Sequence, residues 1–223
     1  MVIELSEELE ELIREAETEW IERFVAGPKR LRWEELPPQI GDPAPDLKIQ
    51  DSTDTWRQLR EFWTEGPALL LFWRQFGCDC GIERAKLLAQ EYNDYIEAGA
   101  TVAIVGEGDP ERAAEYATEY DIDCPILCDP AGTAHEAYGL LDFRPTQVLY
   151  DLPELLDRNR KTAERFAEQI REEGQPQVDN PWQQAGEFVI DGNGVLQLTY
   201  RYQYCEDYPD PRVLTTAIRE ATK

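Results

Sequence analysis

The chain has 223 residues, of which 42% are hydrophobic and 10% aromatic, and this composition excludes a globally disordered chain. Its formal net charge of −24 argues against nucleic acid and anionic membranes as partners, because both are bound through clustered lysine and arginine. No apolar run approaches the ~20 residues that a membrane-spanning helix needs, so no membrane protein is expected.

The acidic composition also bears on habitat and compartment. Only five of the 22 basic residues are lysines, and an acidic, lysine-poor surface stays hydrated at high salt, as in a halophilic cytoplasm. An ordinary acidic protein from a genome rich in arginine codons would look the same. The N-terminus MVIELSEELEELIREAE is acidic and amphipathic, unlike a secretory signal, so we predict a cytoplasmic protein.

The N-terminal region predicts a helix over residues 6–25 that ends at Gly27 and Pro28. Leu12, Trp20 and Phe24 recur in it at helical spacing. Its apolar face could cover the domain's own sheet or pair with a second copy of the chain, which would make a homodimer. A proline-rich passage follows, predicted as extended chain. We therefore predict that residues 1–39 form a helical arm with a linker.

Residues 40–223 show the alternation of elements that is typical of an α/β domain. The predicted elements are a helix at 55–62, a strand at 68–73, a helix at 79–98, a strand at 101–105, a helix at 110–120, a strand at 125–128, a helical turn at 133–138, a terminal hairpin and a helix at 211–221. Residues 152–183 are charged and predicted to be a helical insertion. This order predicts a mixed central sheet with helices on both faces.

The five cysteines are an odd number and do not form a disulfide framework. Cys124 and Cys128 lie four residues apart, on one face of the predicted strand, and are expected to pack in the core. The spacings CxC and CxxxC match zinc sites poorly, and His135 is the only histidine. We therefore predict no metal and no cofactor, and we assign His135 a surface or packing position without a catalytic role.

Cys78 and Cys80 lie in GCDCG, where the apolar strand runs into a helix. Unpaired N–H groups and the helix dipole stabilise a thiolate at a helix N-terminus, so this pair is the candidate catalytic site. Asp79 opposes the effect by its negative charge. Arg74 is the nearest cation in the sequence that could offset Asp79, so it is a supporting candidate.

Three segments carry a resemblance to a known family: PAPDLKIQDS, LLLFWR running into GCDCG, and FVIDGNGVLQLTY. They resemble the thioredoxin fold and, within it, the peroxiredoxin-like group of alkyl hydroperoxide reductases and thiol-specific antioxidants, over about residues 40–221. The resemblance implies a thiol peroxidase or thiol-disulfide reductase. In such an enzyme Cys78 would attack a peroxide or disulfide substrate and Cys80 would resolve the product. An external thiol reductant, such as a thioredoxin-type protein, would restore both thiols.

The chain departs from the family pattern at several positions. The motif PxxxTxxC would place a threonine at Gly77 or Gln75, and the arginine that often precedes the FVID strand is replaced by Ala185 and Gly186. The pair is CxC rather than CxxC. The missing threonine and arginine favour the alternative of a non-catalytic thioredoxin-fold module that binds a protein through its acidic surface or its N-terminal helix. The glycines that flank the cysteine pair and its position at a helix start oppose this alternative.

Two further predictions concern the surroundings of the thiols. Cys205 follows the hairpin, and in this fold we expect it some way from the helix start, so it is a runner-up resolving cysteine and otherwise a bystander. Trp73, Phe76 and Trp182 could line an apolar cleft beside the thiols, or they could pack in the core, as aromatic residues near a strand end usually do.

Overall fold

The protein is described by a computed structural model that covers residues 7–76, 79–148, 159–173 and 178–223. The α-helices in these ranges are α1 (Glu7–Ala26), α2 (Asp79–Glu97), α3 (Pro110–Glu119), α4 (Thr133–Ala137), α5 (Pro145–Val148), α6 (Arg160–Glu173) and α7 (Pro211–Ala221). The strands are β1 (Lys48–Asp51), β2 (Trp56–Gln58), β3 (Ala68–Phe72), β4 (Thr101–Gly106), β5 (Ile126–Cys128), β6 (Gly186–Ile190) and β7 (Leu196–Arg201). A 3₁₀ helix follows β2 over Leu59–Phe62.

The described strands form one sheet in the order β2-β1-β5-β4-β3-β6-β7. The central strands β3, β4 and β5 are parallel, and the pairs β2·β1, β1·β5, β3·β6 and β6·β7 are antiparallel. The predicted mixed sheet is thus confirmed. Because β6 is antiparallel to β3 and β7 is antiparallel to β6, β7 runs in the same direction as β3. The C-terminal ends of β3 and β7 therefore lie at the same end of the strands.

Strand β3 is buried on both faces, which explains its uninterrupted apolar sequence. Leu69 and Leu71 point into one core, which α2, α3 and α7 cover. Leu70 and Phe72 point into the other core, which the 3₁₀ helix and α4 help to cover. Successive side chains of a strand face opposite ways, so each face of β3 receives its own apolar residues.

The segment 48–62 differs from its prediction. The passage predicted as extended chain runs into β1 at residues 48–51, and only the second half of the predicted helix 55–62 is helical, as a 3₁₀ turn. The reason is a tight turn: the Asp51 carboxylate accepts hydrogen bonds from the backbone N–H groups of Thr53 and Thr55, which folds β2 back onto β1. Helix α5 was also absent from the prediction.

Helix α1 packs against α6 and Trp182 instead of on the sheet, so the first of the two predicted alternatives is wrong. Trp20 and Phe24 are buried against α6 and Trp182. The buried Glu17 carboxylate accepts hydrogen bonds from the Arg171 guanidinium of α6. Leu12 remains exposed. The homodimer, the boundary at residue 39 and the insertion at 152–183 stay predictions.

Candidate thiol site

The site lies at the junction between β3, which ends at Phe72, and α2, which begins at Asp79. The first turn of α2 approaches the preceding loop closely, since a Cβ atom on Gly81 would lie 2.7 Å from the carbonyl oxygen of Gln75. Glycine is therefore required there. The hydroxyl of Tyr116 on α3 donates a 2.7 Å hydrogen bond to the Gly81 carbonyl, which fixes this turn against α3.

Of the two predicted catalytic cysteines, Cys80 lies within the described residues. Cys78, the predicted attacking residue, lies outside the described residues. Cys80 lies in the first turn of α2, is 7% exposed and is disulfide-bonded. Its side chain packs in a small cluster with Phe143, Ala185 and Cys205. The catalytic roles of Cys78 and Cys80 stay predictions.

Arg74 reaches the cysteines, as its position in the sequence suggested it could. Its guanidinium Nη1 lies 3.5 Å from the Cys80 sulfur and 2.9 Å from the Cys205 sulfur. Nε and Nη2 donate to the carbonyl oxygens of Gln183 and Pro181, at 2.9 and 2.6 Å. The side chain is buried, so its charge acts on the sulfurs with little screening by water.

The expected remoteness of Cys205 from the helix start is wrong. One guanidinium nitrogen contacts the sulfurs of both Cys80 and Cys205, and the Tyr208 hydroxyl donates a 2.8 Å hydrogen bond to the Cys80 carbonyl. The cause is topological: β7 runs parallel to β3 in space, so the segment after β7 folds over the start of α2. The hairpin in the sequence predicts the direction of β7 relative to β6, whereas the direction of β6 relative to β3 is set by the long-range pairing in the sheet.

The electrostatics of the cysteines differ. Burial raises the pKa of the Cys205 thiol, while the Arg74 charge works in the opposite direction. Burial raises the pKa of Cys124 and of Cys128 to about 12. Both carry free thiols within the core under α2 and α3, which confirms their predicted packing position.

Only one of the three predicted cleft residues lines the pocket beside the thiols. Trp73 borders this pocket together with Cys80 and Cys205, and its supporting role stays a prediction. Phe76 takes the other predicted alternative and packs against Tyr116 in the core. Trp182 is likewise buried, in the cluster under α1.

A buried ion-pair network forms a second wall of the pocket and was not predicted. Arg84 of α2 donates through Nε to Glu187 and through Nη1 to Glu91, both at 2.9 Å. The Tyr202 hydroxyl donates a 2.5 Å hydrogen bond to the same Glu187 oxygen. Burial works to lower the pKa of Arg84, but the Glu187 carboxylate and its neighbours outweigh it and raise the pKa. The sequence feature that could have indicated this ion-pair network is the glutamate within the otherwise apolar strand GEFVI.

His135 occupies a packing position and no surface position. It is fully buried, its Nδ1 lies 2.8 Å from an Asp129 carboxylate oxygen, and its Nε2 lies 3.1 Å from the Trp73 carbonyl oxygen. Its ring meets Phe72 edge to face. His135 thus steadies the backbone that leads from β3 to Arg74.

The described residues contain no group of three or more histidine, cysteine, aspartate or glutamate side chains arranged to hold a metal ion. In the same ranges of the chain, no helix is long and apolar enough to cross a membrane.

Comparison with known proteins gives one family match and several distant relatives. The AhpC/TSA family matches residues 40–199. Thioredoxin-like protein AAED1, chloroplastic, of Arabidopsis thaliana is 22% identical over 173 residues, which are 75% of this chain and 67% of that protein.

Solved structures are similar in fold. Peroxidoxin BcpB from Mycobacterium tuberculosis superposes with a TM-score of 0.59 at 16% identity, covering 82% of this chain and 97% of that one. Thiol peroxidase from Chromobacterium violaceum gives 0.57 at 15% identity, covering 84% and 90%. At such identities the likeness establishes the fold, and the predicted thioredoxin-like architecture is confirmed.

Proposed function

Because the chain belongs to the AhpC/TSA family, we propose that Cys78 is the attacking thiol of this enzyme and Cys80 its resolving partner. The family confirms the resemblance seen in the sequence, and the protein is a thiol-dependent oxidoreductase of the thiol peroxidase or thiol-disulfide oxidoreductase type. The residue roles, the thiolate at the helix N-terminus and the electron donor are the parts that we propose.

The observation that carries the proposal is the state and surroundings of Cys80. It lies in the first turn of α2 beside the Arg74 guanidinium, where a thiolate is stabilised by positive charge. It is disulfide-bonded, as a redox-active cysteine can be, whereas Cys124, Cys128 and Cys205 carry free thiols.

The proposed peroxidase reaction has three steps. The Cys78 thiolate attacks one peroxide oxygen, so that an S–O bond forms and the O–O bond breaks. The leaving alkoxide or hydroxide takes a proton, and Cys78 becomes a sulfenic acid. Cys80 then attacks the Cys78 sulfur, an S–S bond forms and water leaves. An external dithiol of the thioredoxin type reduces this disulfide and is itself oxidised.

A disulfide substrate would follow the same order. The Cys78 thiolate attacks one substrate sulfur and forms a mixed disulfide, and the other substrate sulfur leaves as a thiolate. Cys80 then attacks Cys78 and releases the reduced substrate. In either reaction the Arg74 guanidinium stabilises negative charge on the sulfur that it contacts.

The test is turnover of cysteine variants of the full chain, with dithiothreitol as electron donor and either hydrogen peroxide or insulin disulfide as substrate. We expect Cys78→Ser to abolish turnover, and Cys80→Ser to leave a sulfenic acid on Cys78 that dimedone traps. Cys128→Ser is the matched control, since Cys128 is equally buried but remote from Arg74, and it should retain activity. Full turnover in the Cys78→Ser variant would remove Cys78 from the mechanism.

A further inference from the structure

Cys205 is a free thiol placed against a disulfide-bonded cysteine, with one cation contacting both sulfurs. We propose that Cys205 is a third redox cysteine. By thiol-disulfide exchange it forms a disulfide with Cys80 and so releases Cys78 before the external reductant acts. This relay rests on the proposed roles of Cys78 and Cys80.

The geometry brings the two sulfurs together. Arg74 Nη1 lies 2.9 Å from the Cys205 sulfur and 3.5 Å from the Cys80 sulfur, so the sulfurs are no further apart than the sum of these distances. Both side chains belong to one packed cluster with Phe143 and Tyr202. Cys124 and Cys128 lie in a different core cluster.

The backbone around Cys205 is held in place from both sides. On one side, the Tyr208 hydroxyl donates to the carbonyl of Cys80 itself. On the other, the Tyr202 hydroxyl donates to the buried Glu187, and the Tyr202 and Tyr208 rings meet edge to face at 5.9 Å. The Tyr208 hydrogen bond therefore fastens the segment 202–208 to the helix that carries Cys80.

The shared guanidinium suits the exchange chemistry. Thiol-disulfide exchange begins with a thiolate and ends with a thiolate, and a cation beside the reacting sulfurs stabilises both. Arg74 supplies that cation and is itself fixed by the Gln183 and Pro181 carbonyl oxygens. Burial raises the pKa of the Cys205 thiol, and the Arg74 charge acts against that rise.

The exchange step is balanced without a further oxidant. Cys205 loses its proton, and its sulfur attacks the Cys80 sulfur. The Cys80–Cys205 bond forms as the Cys78–Cys80 bond breaks, and the Cys78 thiolate departs with the electron pair. Cys205 is oxidised to the disulfide level while Cys78 is reduced to the thiolate, so the number of disulfide bonds is unchanged. The external dithiol then reduces the Cys80–Cys205 disulfide, while Cys78 is already available for a second peroxide.

The experiment maps disulfides in the reduced full-length chain after one equivalent of hydrogen peroxide. Samples are quenched with an alkylating agent at increasing times and digested with trypsin. Cys78 and Cys80 share the peptide 75–84, and Cys205 lies in the peptide 202–212. Because Asp79 separates Cys78 from Cys80, a second protease that cleaves before aspartate assigns each bond.

We expect an internal disulfide in peptide 75–84 first, followed by a cross-link between Cys80 and Cys205 with Cys78 alkylated. A second equivalent should then give dimedone-reactive Cys78 in the wild type. It should not do so in Cys205→Ser or Cys205→Ala, where Cys78 stays bonded to Cys80. Two substitutions at Cys205 are used so that a folding defect in one of them does not decide the result. The control variant Cys128→Ser should behave as the wild type.

Three results would overturn the relay. An internal 75–84 disulfide with fully alkylated Cys205 at all times would leave the proposed function intact and exclude Cys205. A bond assigned to Cys78 and Cys205 would make Cys205 the direct resolving residue. Absence of both disulfides would refute the relay and the proposed function together.

Discussion

Two arginines line the same pocket and are equally buried, but their partners are of different kinds. Arg84 on α2 is paired with the carboxylates of Glu187 and Glu91. Arg74 on the loop after β3 contacts the sulfurs of Cys80 and Cys205 and two backbone carbonyl oxygens. Both side chains are less than 5% exposed.

Burial alone therefore does not decide whether a buried arginine in this fold has a structural or a chemical role. The charge of Arg84 is matched by neighbouring carboxylates that lie within the same network, so the group holds α2 against β6. The charge of Arg74 is directed at atoms that become negative during redox chemistry. The comparison therefore predicts a mainly structural effect for one arginine and a mainly chemical effect for the other.

The largest effect on stability is expected for Arg84→Met. Loss of the guanidinium leaves the Glu187 carboxylate fully buried without its cation, which costs about 3–5 kcal/mol of unfolding free energy. Urea unfolding under reducing conditions measures it. Arg60→Met is the matched control, because its ion pair with Asp46 is exposed and should contribute less than about 1 kcal/mol.

The double variant Arg84→Met/Glu187→Leu tests whether the loss of stability comes from the unpaired Glu187 charge. Removing both charges should recover part of the loss, since no uncompensated charge remains in the interior. If the double variant lost the sum of the two single effects, the Arg84–Glu187 pair would not be coupled, and the contrast between the arginines would fail.

Arg74→Met is expected to have a smaller effect on stability and a larger effect on chemistry. The Gln183 and Pro181 carbonyl oxygens lose their donor, which costs about 1–3 kcal/mol. The pKa of Cys205 should rise further, because burial already raises it and Arg74 opposes that rise. At any given pH, less of Cys205 is then thiolate, so its alkylation shifts to higher pH.

Mass spectrometry of the alkylated, reduced protein across a pH series measures this shift. Cys124 in the same sample is the internal control, since it is equally buried and burial rather than Arg74 sets its high pKa. An unchanged profile for Cys205, or an equal shift of Cys124, would contradict the role given to Arg74.

The smallest effect is expected for Tyr208→Phe. It removes one neutral hydrogen bond to the Cys80 carbonyl, worth about 0.5–1.5 kcal/mol. The cross-link between Cys80 and Cys205 should form more slowly, because the 202–208 segment is held less firmly against α2. The internal disulfide of peptide 75–84 should form at its wild-type rate. Equal slowing of both disulfides would indicate a general loss of structure instead.

Much of the fold follows from local sequence patterns. The apolar run ALLLF predicts β3, the turn Gly192–Asn193–Gly194 predicts the hairpin, and Pro211 opens α7 where expected. These succeed because burial on both faces, turn chemistry and helix capping act within a few residues. The β1–β2 turn escaped prediction because it depends on hydrogen bonds that the Asp51 side chain makes two and four residues ahead.

The sequence alone was enough to predict the thioredoxin-like fold and the candidate pair Cys78 and Cys80. Both predictions depend on patterns within short contiguous segments. Only the tertiary structure decided that Cys205 joins Cys80 at Arg74, and that Glu187 neutralises Arg84. These contacts join residues more than 100 positions apart. They depend on the direction of β7 and the packing of α2 on β6, and such long-range geometry leaves no local pattern.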